Sequence, residues 1–590
     1  MEKRLSFDSI DSFCGNVVSL RLLEGETPVK AEWSAEGDAV RLRTFAHFDG
    51  GVLLVMEKPG TACVKAVCGT ETFLCPVSVR PMTHTESGED LNYYNGDFHT
   101  HTSNDHTAPT FAVRTFGFPE EMARDIGKEH RMDFGVVSDH ACVLNDADFF
   151  RGFIAADEKA PENVVIFAGS ESEISEIVYD RYGIRHKNGG EIVTLNTDGY
   201  KDTSLFTEYL DEVTNAPAAI ASLAHPQVMG SSVAGIWNFD LAKNNTERMK
   251  HMVRFVEMGN GTDRDTTPLF EHTLSVALDQ GYRVSTCCTS DHHGPTWGAD
   301  IFPGKTIIMA KEKSKEAFLD AIRSNRAYAT EAGNVKLFYE VNGQAAPADL
   351  KDADRCTFHV KACHLDGTPA PEIKSLEVIT DYEQRAAKIE NVDFSDITFT
   401  VKSSTASYFY LRLVDDQGRK TWSTPVWTGR KTAQPPKDLR LQSALDFSAF
   451  DAVTGTDATI LFNGTPREPW RGAANADLRI DLKETKKLRA VGVLPKLYGS
   501  FEELLPRPEL FKECMSFPCK IRLSGSADGE TFFPLADGYV RIFGGESIFF
   551  FDAASVRYLR LEILETAGKT SCLPQFTDLG LVVGEIEVYE

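Results

Sequence analysis

The sequence predicts a multidomain chain, α/β in its middle and all-β on both flanks. Three observations carry that prediction. The chain has 590 residues, too many for one hydrophobic core, so about three to five domains are expected. Between residues 91 and 332 apolar runs of strand length alternate with helix-length segments. On either side of that stretch, short apolar runs alternate with turns instead.

Composition limits the function before any motif is read. Hydrophobic residues make up 42% and charged residues 25% of the chain, as in a globular protein. The formal net charge of −25 repels a phosphate backbone, which disfavours a nucleic-acid duplex as partner. A short oligonucleotide held through metal ions stays compatible with it. No apolar run reaches the roughly 20 residues of a membrane span. The opening "MEKRLSFDSIDSFCGNVVSL" lacks the long apolar core and small-residue cleavage site of a signal peptide. Twelve cysteines are scattered without CxxC pairs, which reads as free thiols and a cytoplasmic protein. A leader removed from the N-terminus would change that to an extracytoplasmic one.

Residues 1–90 carry "GNVVSLRLLEG", "GGVLLVMEKPGTACVKAVCG" and "TFLCPVSV", the rhythm of a small β-sandwich. "VKAEWSAEGDAV" with the following "GGVLL" stretch resembles bacterial immunoglobulin-like modules. In residues 91–332 the runs "DFGVVSDH", "NVVIFAGSE", "EIVTLN", "AAIASLAHP", "VRFVEMGNG", "YRVSTCCTSDHH" and "KTIIMA" have near-continuous apolar cores, as parallel strands buried on both faces do. "PEEMARDIGKEH", "LFEHTLSVALDQG" and "SKEAFLDAIRSN" between them predict helices. Repeated strand and helix argue for an α/β barrel, with a doubly wound open sheet as the competing topology. Two further β-sandwiches are expected at 333–432 and 433–590, divided near the polar linker "TGRKTAQPPKD".

Eleven of the fifteen histidines fall between His99 and His293, and their positions matter more than their number. His140, Glu171, His225 and the pair Asp291 and His293 each sit at the C-terminal end of a predicted strand. In a parallel barrel those ends meet on one face. Imidazole and carboxylate are ligands for Zn²⁺, Mn²⁺ and Fe²⁺, and a carboxylate such as Glu171 can bridge two cations. In "DFHTH", His99 and His101 are two apart and share one face of a strand. Asp97 lies on the same side, as a ligand or as the partner that fixes an imidazole tautomer. His130, His251 and His272 read as solvated helix positions.

These residues resemble, in order and spacing, the motifs of the polymerase and histidinol phosphatase (PHP) superfamily: "DFHTH" with His106, "SDH" at 138–140, "GSE" at 169–171, "AHP" at 224–226 and "SDHH" at 290–293. The resemblance implies a distorted (β/α)7 barrel holding up to three metal ions. It implies His99, His101, Glu171 and Asp291 at one ion, and Glu171 with His225 at a second. His106, His140 and His293 would hold a third. His293 is preferred to His292 because the family pattern is Asp-x-His. Where relatives place a further histidine for the second ion, this chain has Glu191, with His186 in the preceding loop as a substitute. "NRAYATEAGNVKLFYEVNG" and "WSTPVW" are similar to the carbaryl-hydrolase (CehA/McbA) branch. The last block, with "ILFNGTPREPWRG" and "IRLSGSADGETFFPLADG", resembles the discoidin or factor 5/8 C-type domain, a galactose-binding-like jelly roll.

The activity these features imply is a metal-dependent hydrolase using two or three Zn, Mn or Fe ions, with a phosphoester as the favoured substrate. Water bridging two cations becomes a nucleophile at neutral pH. Asp139 and His293 are candidates for proton transfer to the leaving group. Arg181, Arg185 and Lys187 stand either as a grip for a substrate anion or as solvated loop charge. A carboxyl ester, carbamate or amide substrate is the alternative, and a carbohydrate-binding protein with a vestigial barrel is the reading from another class.

Overall fold

The structure, a computed structural model, describes residues 3–43, 51–81, 91–102, 132–142, 164–179, 185–196, 219–226, 247–261, 267–293, 304–432, 446–496, 516–540, 547–566 and 580–590, with a few single positions between them. Strands dominate these residues and form several sheets. No helix among them is long and apolar enough to cross a membrane, and the described cysteines are all free thiols.

At the N-terminal end, one sheet joins Lys3–Leu5, Val17–Glu24, Gly51–Met56 and Val40–Arg43, and a second joins Ile10–Phe13, Glu71–Arg80, Gly60–Cys68 and Glu32–Glu36. Inward residues such as Ala62, Val64 and Ala66 alternate with more exposed ones along Gly60–Cys68, the period-two signature of a sheet with one wet face. Leu20, Leu22, Leu54, Val64 and Cys75 fill the space between the sheets.

The middle of the chain closes a ring of seven strands. Asn92–Thr100, Phe134–Val137 and Val165–Tyr179 pair in parallel. Ile220–Leu223, Val253–Asn260 and Ser285–Thr289 do the same. Arg185–Leu195 joins the two sets, antiparallel to both neighbours. The ring closes where Thr100 bridges His292 in parallel, with His101 N donating to His292 O and Asp291 N to His99 O. Phe134–Val137, Ile220–Leu223 and Ser285–Thr289 are buried at every position, which accounts for their unbroken apolar sequence.

Three expectations change here. "EIVTLN" belongs to an antiparallel strand, because residues 180–184 are too few for the crossover of a dozen or more residues that parallel pairing needs. "KTIIMA", Lys305–Ala310, also runs antiparallel, alongside Asn92–Gly96. His272 is buried rather than solvated: its helix, Thr267–Asp279, is covered by the following β unit, and its Nδ1 lies 2.6 Å from Glu383 Oε2.

Beyond the ring, Ala327–Thr330 pairs with Lys420–Trp422, so a sheet of the next unit continues directly from it. That sheet, with Ile373–Thr380, Gln384–Glu390 and Tyr408–Asp415, shares a core with the sheet of Val335–Val341, Arg355–His364 and Ile397–Lys402. The C-terminal unit is built on the long pair Asp477–Leu494 and Ser547–Thr566, closed by Pro518–Ser526 and Glu585–Tyr589.

The three units meet at a buried ionic junction. Arg412 donates from Nη1 to Glu271 on the ring's helix (2.6 Å) and from Nε to Glu377 (3.1 Å). Arg385 donates to the other Glu377 oxygen (3.0 Å) and from Nε to Asp537 of the C-terminal unit (3.0 Å). Burial alone would raise the Glu377 carboxyl, but Arg412 and Arg385 hold it down at about 2.

Candidate metal centre

Glu171 is the centre of the site. Its Oε1 lies 3.1 Å from His99 Nε2 and 3.0 Å from His225 Nε2. Its Oε2 lies 3.2 Å from His140 Nε2 and 3.5 Å from His101 Nε2. Two imidazoles on each oxygen is the geometry of a carboxylate shared between two cations. Asp291 Oδ1 stands 3.0 Å from His101 Nε2 and 3.5 Å from His99 Nε2.

The ring topology explains how residues so distant in sequence meet. His140 forms a parallel bridge with Glu171, so both lie at one level above neighbouring strands. His225 follows Ile220–Leu223, and Asp291 follows Ser285–Thr289. His225 and Asp291 both take positive φ, 21° and 46°. For residues with a Cβ this costs about 1–3 kcal/mol each and persists where the surroundings fix the position. Here backbone hydrogen bonds do so, from His225 N to Glu257 Oε2 and from Asp291 N to His99 O.

The charge balance favours cations. Burial disfavours a charged His225, yet the Glu171 and Glu191 carboxylates outweigh it and raise its pKa to about 10. Burial likewise opposes a charged His99, and Glu171, Asp291 and Glu257 carry it well above the ordinary imidazole value. Burial pushes the Glu191 carboxyl up to about 7, with Glu171 adding to the effect. Burial and then the neighbouring His101 hold His293 down at about 4. Glu171 Oε2 is buried without a hydrogen bond. Four overlapping groups have donor atoms close enough for one ion: His99, His101 and Glu171; His99, His225 and Asp291; His140, Glu171 and Glu191; and His101, His140 and His293. The donor set therefore fits metal binding.

Other candidate residues fall elsewhere. Asp97 is in none of the ion-holding groups among the described residues; it accepts from the backbone N–H groups of His99 and Ser290 and so ties the ring closed. Both Asp139 oxygens are engaged by Thr102, through its N–H (2.6 Å) and its hydroxyl (2.7 Å). The ring of His292 packs edge-on to Trp297, while the ring of His293 stacks on His101 at 4.0 Å between centroids. Glu191 Oε2 is 3.2 Å from His225 Nε2. His186 is in a strand rather than a loop, paired with Val178. That is seven positions beyond Glu171, roughly 23 Å along the hairpin, so its backbone is not beside the cluster. Arg185 and Lys187 share this outer part of the hairpin. His106 and Arg181 lie outside the described residues.

Glu257 is the site residue that sequence reasoning missed. It sits inside "VRFVEMGN", which reads as one apolar strand core. Its Oε1 lies 2.9 Å from His99 Nδ1. The available signal was a carboxylate placed in alternation with Phe255 within a buried strand.

No family model matches the sequence. An uncharacterized protein of Chlamydia muridarum is 20% identical over 140 residues, which cover 21% of this chain and 22% of that protein. The chain thus spans less than a quarter of the curated relative it matches. Among solved structures, a two-domain protein from Bacteroides vulgatus, described as containing a predicted PHP-like metal-dependent phosphoesterase, is 12% identical. It covers 57% of this chain and 94% of its own, with a TM-score of 0.32. A family 32 carbohydrate-binding module of Clostridium perfringens, solved with GalNAc-beta-1,3-galactose, is 13% identical over 26% of this chain and all of its own (100%), with a TM-score of 0.20. With scores this low, the chemistry of the site rests on its own geometry.

Proposed function

We propose that the chain is a metal-dependent hydrolase of the PHP type, acting on a phosphoester. The observation that carries the proposal is the sharing of Glu171 among His99, His225, His140 and His101 at 3.0–3.5 Å. Divalent cations held there would lower the pKa of water towards neutrality and offset the negative charge of the attacked group. That local positive charge would make a phosphate substrate compatible with an acidic protein.

The chain's own residues have separable tasks. Glu171 and Asp291 would supply the anionic oxygens and His99, His101, His140 and His225 the nitrogens, with His99 and His225 giving up the proton that the surrounding carboxylates favour when no ion is bound. Glu191 adds a carboxylate beside His225, favouring Mn or Fe in that position over a purely imidazole set. His293, partly buried and with its Nδ1 2.9 Å from Asp291 O, is a ring placed to relay a proton to a leaving group; held down at about 4, it is neutral at pH 7 and takes up the proton before passing it on. Asp139 holds the turn after His101 through Thr102.

A panel of phosphomonoesters, phosphodiesters and aryl esters, assayed with Mn²⁺, Zn²⁺ and Fe²⁺, tests the proposal. Metal-dependent turnover of a phosphoester that is lost in Glu171→Gln supports it. Turnover confined to aryl esters would move the substrate class to carboxyl esters, and no turnover with any metal would count against an enzyme.

A further inference from the structure

We propose that Glu257 is a positioning residue that sets the tautomer of His99 and locks three ligand-bearing strand ends together, granted the metal-dependent centre proposed above. Glu257 lies fully buried on Val253–Asn260, and among the described residues it belongs to none of the groups able to hold an ion.

Its oxygens are taken up by donors. Oε1 faces His99 Nδ1 at 2.9 Å. A carboxylate only accepts, so Nδ1 carries a proton, and with an ion held by His99, His101 and Glu171 it is Nε2 that would be left to ligate it. Oε2 accepts from the His225 backbone N–H at 2.6 Å, at the residue whose φ is 21°. Oε2 also accepts from Asn260 Nδ2 at 3.1 Å, and the same Asn260 nitrogen lies 3.4 Å from Asp291 Oδ2. One carboxylate thus joins the end of the first ring strand to His225 directly and to Asp291 through one amide. Partners of this kind, one step behind the ligands, typically govern metal affinity by about 10- to 100-fold.

Glu257→Met keeps the volume of the side chain and removes every acceptor; Glu257→Gln keeps one acceptor for His99 Nδ1 and loses the charge. The test is Zn²⁺ and Mn²⁺ affinity of the full chain, by competition with a chromophoric chelator, together with the visible spectrum of the Co²⁺-loaded protein. Glu257→Met is expected to bind about 10- to 100-fold more weakly with an altered Co²⁺ spectrum, and Glu257→Gln to fall between it and the wild type. Wild-type affinity and spectrum in a folded Glu257→Met protein would overturn the proposal, since a packing role alone predicts that result. If Glu257→Met does not fold, wild-type affinity in Glu257→Gln overturns it equally. A wild-type chain that binds none of the three metals would instead overturn the metal centre, and Glu257's role with it.

Discussion

The Nε2 atoms of His99 and His101 lie 3.1 Å apart, and each is also within 3.5 Å of Glu171 and of Asp291. Two ring nitrogens that close, in a buried pocket lined by carboxylates, form a stable arrangement when a cation is shared between them. His99→Ala is therefore expected to lose at least about 100-fold in metal affinity, the upper end for a mere supporting partner. Isothermal titration with Zn²⁺ or Mn²⁺ checks it, with circular dichroism to establish that the variant is folded.

Metal removal should lower stability as well as activity, because the ligands come from strand ends that are separate in the unfolded chain. At a free metal concentration 100 times the dissociation constant, binding adds about 2.7 kcal/mol. The melting temperature should fall on chelation and recover when metal is returned. An unchanged melting temperature across that cycle would mean that the centre contributes nothing to the fold.

Gly169 stands two residues before Glu171, where the backbone is too close to its neighbour for any side chain. A Cβ built there would collide with Thr194 O. Gly169→Ala must push the strand away from Arg185–Leu195 and tilt Glu171 with it. Weakened metal binding is expected together with a loss of about 1–3 kcal/mol, as for other overpacked buried positions. Urea unfolding and metal titration of the same preparation measure the two effects.

Arg412 neutralises both Glu271 and Glu377 in the buried junction. Its removal takes the guanidinium from buried Glu271 and leaves Glu377 with Arg385 alone, so Arg412→Met should destabilise the protein by about 3–5 kcal/mol. The metal centre uses none of these groups. Metal affinity at a temperature where the variant remains folded should therefore stay near that of the wild type.

The same junction sets an acid limit. The Glu377 carboxyl is held at about 2 in the folded protein, against about 4.3 in an unfolded chain. A lowered carboxylate pKa contributes stability that is complete above about pH 4.3 and is lost as pH falls towards 2. Glu377→Gln should flatten that part of the stability profile and lower the plateau above it. Chemical unfolding between pH 2 and 6 would show both changes.

The sequence announced those parts of the site whose chemistry and position coincide. His140, Glu171, His225 and Asp291 all end apolar runs, and the structure brings their side chains together with His99 and His101. Glu257 was hidden because a single carboxylate inside an apolar run does not disturb the run's pattern. The reversed direction of Arg185–Leu195 was hidden for a different reason: apolar content marks a buried strand but carries no sign of its direction. The connecting segment 180–184 does, through its shortness. The junction of Glu271, Arg412, Glu377 and Asp537 depends on contacts between three separate units, and no local pattern records those. His272 was misjudged for the same reason, since a polar residue on a helix is solvated only when nothing covers that face.

The most direct test of the metal centre is the transition-metal content per chain, by mass spectrometry, of protein purified without chelators. At least one equivalent is expected in the wild type, falling sharply when His99 and Asp291 are both replaced by alanine. Less than one equivalent in the wild type after reconstitution with Mn²⁺, Zn²⁺ and Fe²⁺, or an equal content in the double variant, would contradict it.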